Sequence, residues 1–475
     1  PISIRSVLYE KNQAGNNPCL FEERNVGFNY KREVSTRSFS SNKYVSDLKW
    51  NIHAAATFKC RVEAYCYQIL WMLRNHSLTH GGTEKIQVAV TYPLAMRPTQ
   101  LRTIKDAWKK AWNNLIDSNN PFPERNFMIE SLAPYKYSAV TNTNLLRTDA
   151  YVNMDIGGGS TDILFYKEGV LGRPTKSRAY SVFFAANDLW GTGMSPTRRN
   201  LKDNGFIKNL ENGDGLDAIK ITNINNYKDI ASNASDVVTY LFSKPEEYHF
   251  ADSIRQSKIA SVVVVHFAAT IYYLANIIKT NNLEIPSCVN FSGMGSKYID
   301  IIVGSNEELA SIVKVIFKHV GLNVANLNVS RDSNPKEVTA LGAIYMLDPE
   351  TTKVETPRST IVYCIDGEED MEDALTYEDT TKDSTWNMVE KEMDKFTTLL
   401  QSQSFISTIN NAGIMYSFNE LQSNGFDKNN FKSSYVTMTD SFAQMSDDEK
   451  KANLKDAPFF WALKDTLYNV ALAMA

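Results

Sequence analysis

Apolar and polar positions alternate with two different periods along the first third of the chain. Residues 1–50 carry short apolar runs between Asn, Ser and Gly clusters, which is typical of hairpin strands. Apolar side chains then recur at helical spacing over residues 57–74 and 100–116, so two helices are predicted. Between them, the run IQVAVTYP at 86–93 predicts a buried strand that ends at a proline. Strands alternating with helices predict an α/β protein.

The middle third repeats this alternation. The runs YVNMDI and DILFY flank a glycine turn and predict a hairpin. An apolar helix, the strand SCVNF, a second glycine turn and a helix ending near residue 347 follow. From Asp348 the sequence becomes turn-forming and then acidic, so we expect the main body to end there. The last part of the chain, 384–475, predicts mainly helix.

Residues 259–278 carry no formal charge over about the length that crosses a bilayer. His266 and Asn276 interrupt this run, and the charged residues on its two sides show no bias. A helix that is buried on all sides in a large protein has the same composition. We therefore expect a core helix here and no membrane span.

Composition, net charge and cysteine content bear on which classes of function and which compartment the chain suits. The 475 residues are 43% hydrophobic and 22% charged, as in globular proteins, and a net charge of -4 offers no attraction for nucleic acid. Five cysteines, an odd number without a CxxC pair, and the lack of a secretory signal predict free thiols in a reducing, cytoplasmic compartment. Because the sequence starts at Pro1, we expect it to begin inside a longer gene product. Neither HExxH nor GxSxG occurs.

The motif DIGGGSTD at 155–162 carries the clearest chemistry. A two-residue hairpin turn needs one or two glycines, but here three are followed by two small hydroxyl residues. Such a turn presents backbone N–H groups with little side chain above them, so it can cradle phosphates. Asp155 places a carboxylate beside the turn, which suits a magnesium ion that bridges phosphates. The phosphate-binding candidates are Gly157, Gly158, Gly159, Ser160 and Thr161. The alternative is an ordinary hairpin.

A second motif, NFSGMGSKY at 290–298, orders a strand, a glycine turn and a helix N-terminus. This order suits a nucleotide laid across the turn. It is a weak dinucleotide fingerprint, because the third glycine would fall at Tyr298, and an ordinary strand-to-helix turn is the alternative. The binding candidates are Ser292, Gly293, Met294, Gly295 and Ser296.

Together these motifs resemble the superfamily of actin, sugar-kinase and heat-shock-chaperone ATPases, in its chaperone-like or actin-like branch. VAVTYPLAMRPTQLRTIKDA (88–107) is similar to a strand-proline-helix segment of the chaperones, and FSGMGSKY to their adenosine loop. NPKEVTALGA (334–343) is similar to the helix that closes their core, and FFAANDLWG (183–191) to the loop after the second phosphate hairpin.

The resemblance implies a two-lobed actin-like ATPase fold whose ribonuclease-H-like lobes each hold a mixed sheet flanked by helices. It divides the chain into a first lobe (1–150), a second lobe with the phosphate hairpin and adenosine loop (151–347), an acidic linker (348–383) and a helical C-terminal appendage (384–475). The implied ligands are ATP or ADP with Mg²⁺, and Asp155 is the metal-side carboxylate. Glu130, Asp155 and Lys49 are the catalytic candidates.

Two departures from the family qualify this function. An Asp-x-Gly-Thr hairpin, which would grip the phosphates from the other side, is absent from residues 1–60. The continuation after residue 347 is acidic and helical, where the chaperones have a peptide-binding β-sandwich. We expect slow Mg-dependent hydrolysis that drives lobe closure and is read by a protein partner or by self-assembly. The alternative is a non-hydrolysing scaffold of the same fold. A small-molecule kinase would need a catalytic Asp, and none stands out.

Overall fold

A computed structural model describes most of the chain beyond residue 54. The described residues are 8–11, 27–28, 42–45, 55–82, 86–93, 96, 98–141, 150–168, 174–191, 204–228, 234–332, 334–347, 358–359, 375–452, 454 and 456–475. Within them, three β-sheets of three, six and two strands occur together with many helices. The protein is therefore α/β, as the sequence predicts.

The first 141 residues contribute short strands and three helices to the described structure. The elements are β1 (Leu8–Lys11), β2 (Gly27–Phe28), β3 (Asn42–Val45), α1 (Ala55–Thr79), β4 (Val90–Tyr92), α2 (Pro98–Leu115), β5 (Phe127–Ile129) and α3 (Leu132–Thr141). Strands β2, β1 and β3 form an antiparallel sheet, whereas β4 and β5 form a separate parallel pair. The described strands of this region therefore do not make one mixed sheet, and the two-lobe arrangement stays a prediction.

Helices α1 and α2 owe their packing to the apolar stripes read from the sequence. Trp108 and Trp112 of α2 are buried beside Phe122, with ring centroids 6.4 and 5.2 Å apart. Val62, Cys66 and Leu70 of α1 complete the same cluster. This cluster covers the β4–β5 pair, because Val90 and Phe127 belong to it.

A six-stranded sheet holds both glycine motifs. Its strands are β6 (Tyr151–Ile156), β7 (Thr161–Glu168), β8 (Pro174–Val182), β9 (Cys288–Ser292), β10 (Asn328–Arg331) and β11 (Arg358–Ser359), in the order β10-β9-β6-β7-β8-β11. β6, β7 and β8 form an antiparallel meander, and β9 and β10 continue the sheet in parallel with β6. The carboxyl ends of β6 and β9 therefore lie side by side, so the two glycine turns that follow them meet at one edge.

Helices surround this sheet and extend to the end of the chain. The first group is α4 (Ala186–Trp190), α5 (Gly205–Asn212), α6 (Ala218–Lys228), α7 (Ala234–Phe242), α8 (Pro245–Tyr248), α9 (Phe250–Arg255), α10 (Ala260–Thr280), α11 (Ile299–Ile302), α12 (Asn306–Val320) and α13 (Pro335–Tyr345). The second group is α14 (Asp383–Gln401), α15 (Gln403–Asn411), α16 (Phe418–Ser423), α17 (Lys428–Asp440), α18 (Asp447–Lys450) and α19 (Pro458–Ala473). Short 3-10 helices span Glu124–Asn126, Met294–Tyr298, Asp379–Thr381 and Ser441–Gln444.

The two faces of the six-stranded sheet differ because side chains alternate along each strand. Met154 of β6 and Phe291 of β9 point into a large apolar core that includes α10 and α12. Asn153 and Asp155 occupy the alternate positions of β6 and lie on the other face. That second face packs on α3 through a smaller cluster containing Tyr135. The polar positions of the sheet therefore face the first 141 residues.

Helix α10 has the composition of a membrane span and the burial of a core helix. It is 21 residues long, and its most apolar 18-residue window has a mean hydropathy of 1.8 and is 94% buried inside the protein. Burial in the protein core explains its apolar composition without a bilayer.

The C-terminal helices share the core of α10. Tyr272 lies 5.3 Å from Phe396 and 5.9 Å from Phe459 between ring centroids, and Tyr273 lies 5.0 Å from Phe460. The segment expected to be an appendage is helical, as predicted. Its apolar side chains are buried against the helices that cover the six-stranded sheet, in one continuous core.

Candidate functional site

The two glycine motifs interlock through their backbones. A Cβ atom on Gly293 would lie 2.3 Å from both Oδ1 of Asp155 and the carbonyl oxygen of Ile156. A Cβ atom on Gly295 would lie 2.1 Å from the carbonyl oxygen of Gly157. Gly293 also has a φ of +81°, which favours glycine. The glycine spacing of the second motif therefore lets its loop lie directly on the first turn, and the two motifs meet at one place.

The hairpin turn presents its amides on the side away from α4. The carbonyl oxygens of Gly157 and Gly158 accept hydrogen bonds from the N–H groups of Ala186 (3.3 Å) and Asn187 (2.8 Å) at the start of α4. In a trans peptide unit the C=O and N–H groups point in opposite directions. The N–H groups of Gly158 and Gly159 therefore point away from α4, and neither donates to another atom in the described part of the chain. Such a row of unused amides attracts anions.

Two buried carboxylates lie beside the turn. Asp155 and Asp162 are direct partners in the β6–β7 ladder and are 6% and 2% exposed. Oδ2 of Asp155 accepts a hydrogen bond from Thr339 (3.4 Å), and Oδ2 of Asp162 accepts one from Ser160 (3.0 Å). Adjacent carboxylates repel each other unless a proton or a cation compensates them.

These oxygen donors fit a magnesium ion. Mg²⁺ prefers carboxylate and hydroxyl oxygens, keeps several waters, and uses only one or two carboxylates besides phosphate oxygens. In the described residues, no three His, Cys, Asp or Glu side chains cluster as an all-protein metal site would need. The pair of carboxylates at the turn matches the sparse coordination of a phosphate-bound magnesium ion.

A ladder of polar side chains fixes the strand ends behind the turn. Asn153 donates to Oγ of Ser292 (3.0 Å), Asn290 donates to Oδ1 of Asn153 (2.9 Å), and Ser330 donates to Oδ1 of Asn290 (2.6 Å). Burial raises the pKa of Asp332 at the end of this ladder, and a hydrogen bond from Asn290 opposes the rise. The ladder crosses β6, β9 and β10, so it holds the two glycine turns in register.

Sequence reasoning missed two side chains that lie over the turn. The amide group of Asn187 is 3.2 Å from the place that a Cβ atom on Gly158 would occupy. Ser235 of α7 donates to Oδ1 of Asn187 (2.6 Å) and so orients that amide. Asn187 belongs to FFAANDLWG, where the resemblance marked the loop but no individual residue. Ser235 has no local signal, because only the tertiary fold brings α7 to the turn.

The predicted catalytic residues lie in different parts of the chain. Asp155 is at the turn. Glu130 directly follows β5, and its N–H donates to the carbonyl oxygen of Tyr92 (2.9 Å). Helix α3, which begins two residues later, packs on α13, and α13 carries Thr339. Glu130 is therefore connected to the turn through the α3–α13 contact. Lys49 lies outside the described residues.

Comparisons with known proteins do not assign a family. No protein-family model matches the chain, and no curated protein matches its sequence. Among solved structures, it is similar to the ethanolamine utilization protein EutJ from Carboxydothermus hydrogenoformans, at 14% identity and a TM-score of 0.33, over 64% of this chain and 79% of that one. At that TM-score the likeness does not establish a shared fold.

Proposed function

We propose that the chain binds ATP or ADP together with Mg²⁺ at the edge of the six-stranded sheet. The observation that carries this proposal is the interlock of Gly293 and Gly295 with Asp155 and Gly157, which joins a row of unused amides to a buried carboxylate. Phosphates need amide donors and magnesium needs oxygen ligands, and both are available at this one edge.

In this proposal, different residues bind the phosphates, the magnesium ion and the adenosine. The amides of Gly158 and Gly159 would hold the phosphates. The predicted hydroxyls are engaged within the protein instead: Thr161 donates to the carbonyl oxygen of Phe184 (2.6 Å) and Ser160 to Oδ2 of Asp162 (3.0 Å), so they shape the turn. Asp155 would hold magnesium through its carboxylate, with Asp162 next to it. The loop Ser292–Ser296 would carry the adenosine. Magnesium, when bound, would neutralise the phosphate charge, and the protein would position the groups.

Hydrolysis in this proposal is slow or absent. Phosphoryl transfer depends on charge stabilisation around the phosphate, and a single well-placed donor is commonly worth about 3–4 kcal/mol. Here one side of the phosphates has such donors, whereas the sequence contains no Asp-x-Gly-Thr hairpin for the other side. Glu130 is the group that would orient water. Nucleotide-dependent closure would then be read by a protein partner or by a second copy of the chain.

Calorimetric titration tests the binding. ATP and ADP in the presence of Mg²⁺ should bind, whereas AMP should bind at least tenfold more weakly, which is about 1.4 kcal/mol, because it lacks the bridging phosphates. Gly158→Val should abolish the ATP signal, because its added Cβ would lie 3.2 Å from the amide group of Asn187 and the turn must move away from α4. Gly215→Ala is the matched control, since no atom lies within 4 Å of its added Cβ. Absence of Mg-dependent affinity up to millimolar nucleotide contradicts the proposal.

A phosphate-release assay separates the ATPase from the scaffold. Turnover that Glu130→Gln removes while MgATP affinity is retained supports an ATPase. Binding without turnover supports a non-hydrolysing scaffold of the same fold, in which the nucleotide sets the conformation only.

A further inference from the structure

The C-terminal helix α19 reaches the loop behind the hairpin turn with a buried cation. Lys464 is 0% exposed, and its Nζ donates to the carbonyl oxygen of Phe183 and to Oδ1 of Asp188 (3.1 Å). Asp188 is 1% exposed, so both charges of the pair are removed from water. A buried ion pair costs desolvation energy, and an apolar side chain would fill the same space without that cost.

Asp456, just before α19, binds the same loop through the N–H group of Phe183. Oδ1 of Asp456 accepts a hydrogen bond from the N–H of Phe183 (3.0 Å), and its Oδ2 accepts one from Nε1 of Trp461 (2.6 Å). The N–H and C=O groups of Phe183 are therefore both bound by side chains of the C-terminal segment.

Asp188 connects Lys464 to the hairpin turn through the start of α4. Its Oδ2 accepts a hydrogen bond from the N–H of Ala185 (2.9 Å), which shapes the first turn of α4. With α4 fixed in this way, the next two N–H groups, those of Ala186 and Asn187, donate to the carbonyl oxygens of the glycine turn. These are the hydrogen bonds that aim the turn's own amides away from α4.

His266 of α10 also contacts this loop, at Phe184 and Ala185. Its Nε2 donates to the carbonyl oxygen of Ala185 (3.0 Å), and its ring stacks on Phe184 at 4.3 Å. Burial lowers the pKa of His266 to about 3, with the hydrogen bond to Ala185 opposing this shift and the Lys464 charge adding to it, so the imidazole is neutral. Because His266 is neutral, the positive charge that pairs with Asp188 at this loop comes from Lys464.

We propose that Lys464 is a positioning residue: through Asp188 and α4 it sets the orientation of the hairpin amides that receive the phosphates. The proposed role rests on the proposed nucleotide function, but the mechanical link itself does not need a ligand. The helix α19 thereby becomes part of the binding site's support.

Amide hydrogen exchange on the nucleotide-free full chain tests the link. In Lys464→Met, the amides of Gly157, Ala186 and Asn187 should exchange at least tenfold faster than in the wild type, while those of α12 keep their rates. Lys228→Met is the matched control, because it removes another largely buried ion pair, Lys228 with Glu211 at 2.8 Å, in which Lys228 donates to Glu211 and not to residues 183–188. It should leave the hairpin amides unchanged.

A second variant keeps the test decisive if Lys464→Met does not fold. The double variant Lys464→Met with Asp188→Asn removes both charges and should show the same faster exchange. In either folded variant, MgADP affinity should fall more than in Lys228→Met at an equal loss of thermal stability. Unchanged exchange of the hairpin amides would overturn the proposal. Faster exchange in a protein whose wild type binds no nucleotide would keep the link and reject the nucleotide function.

Discussion

Gly342 of α13 lies directly on the backbone of Ala133 in α3: a Cβ atom at residue 342 would be 1.8 Å from the carbonyl oxygen of Ala133. Three residues earlier on the same helix, Thr339 donates to the carboxylate of Asp155. Residues three apart lie on the same side of a helix, so α13 contacts α3 and the hairpin strand together. The crossing of α3 and α13 is therefore the connection between Glu130 and the glycine turn.

Replacing Gly342 should break this crossing. Gly342→Val must push α3 and α13 apart, since the obstructing atoms belong to the backbone, and overpacking of this kind costs about 1–3 kcal/mol. Denaturant unfolding should show that loss, and Gly215→Ala should show none because its surroundings are open. A Gly342→Val protein of wild-type stability would mean that the two helices can separate freely.

Gly293→Ala should damage the site more than the fold. The residue has a positive φ, and its added Cβ would lie 2.3 Å from Oδ1 of Asp155, so the loop must move away from the hairpin. MgATP affinity should fall at least tenfold, about 1.4 kcal/mol. Gly321→Ala is the matched control, since that glycine also has a positive φ (+96°) but its added Cβ would meet only Nζ of Lys279, at 3.9 Å. Equal affinity in Gly293→Ala and the wild type would exclude the loop as part of the nucleotide site.

Asp155→Asn should weaken the magnesium dependence of nucleotide binding without unfolding the protein. The change keeps the side chain's shape and removes one of two facing negative charges, so magnesium-free protein should be at least as stable as the wild type. ATP titrations with Mg²⁺ and with EDTA should differ less in the variant. Asp162→Asn provides the comparison on the other strand. A variant with full magnesium dependence would show that the metal lies elsewhere.

The sequence predicts the local parts of this structure and misses its long-range contacts. Helical periodicity marks α2 and α10, and glycine spacing marks both turns, because these signals depend on neighbours within a few residues. The contact of Lys464 with Asp188 joins residues 276 positions apart and leaves no period to read. The same holds for Ser235 over the turn. For this reason the C-terminal helices looked like an appendage, although they complete the core.

The buried His266 should make the protein sensitive to mild acid. Burial lowers its pKa from 6.5 to about 3 in the folded protein, whereas the unfolded chain takes up a proton near pH 6.5. The stability that this histidine contributes is therefore present above pH 6.5 and is lost progressively as the pH falls toward 3. At pH 5 the loss should be about 2 kcal/mol. Unfolding titrations from pH 7.5 to 5 should show a shallower decline for His266→Gln, and an unaltered decline for His76→Gln.

Removing α19 should unfold the core of the six-stranded sheet. The helix buries Phe459, Phe460, Trp461, Leu463 and Leu467 at 1% exposure or less. Each large buried side chain contributes about 1.5–3 kcal/mol, so the five together contribute about 7.5–15 kcal/mol. The total stability of a folded domain is about 5–15 kcal/mol, so losing this contribution can remove all of it. A chain that ends at residue 456 also leaves Phe184 without the stacked ring of Phe460, 4.4 Å away.

We expect this shortened chain to be insoluble or to show no cooperative unfolding by circular dichroism. A milder pair of changes gives the same answer in soluble protein: Phe460→Ala should cost about 3–5 kcal/mol, as large-to-small changes in a packed core do. Met415→Ala on the exposed side of the same C-terminal region should cost almost nothing, since Met415 is 59% exposed. If the shortened chain instead unfolds cooperatively at the wild-type temperature, the C-terminal helices are an independent unit and the shared core does not support the site.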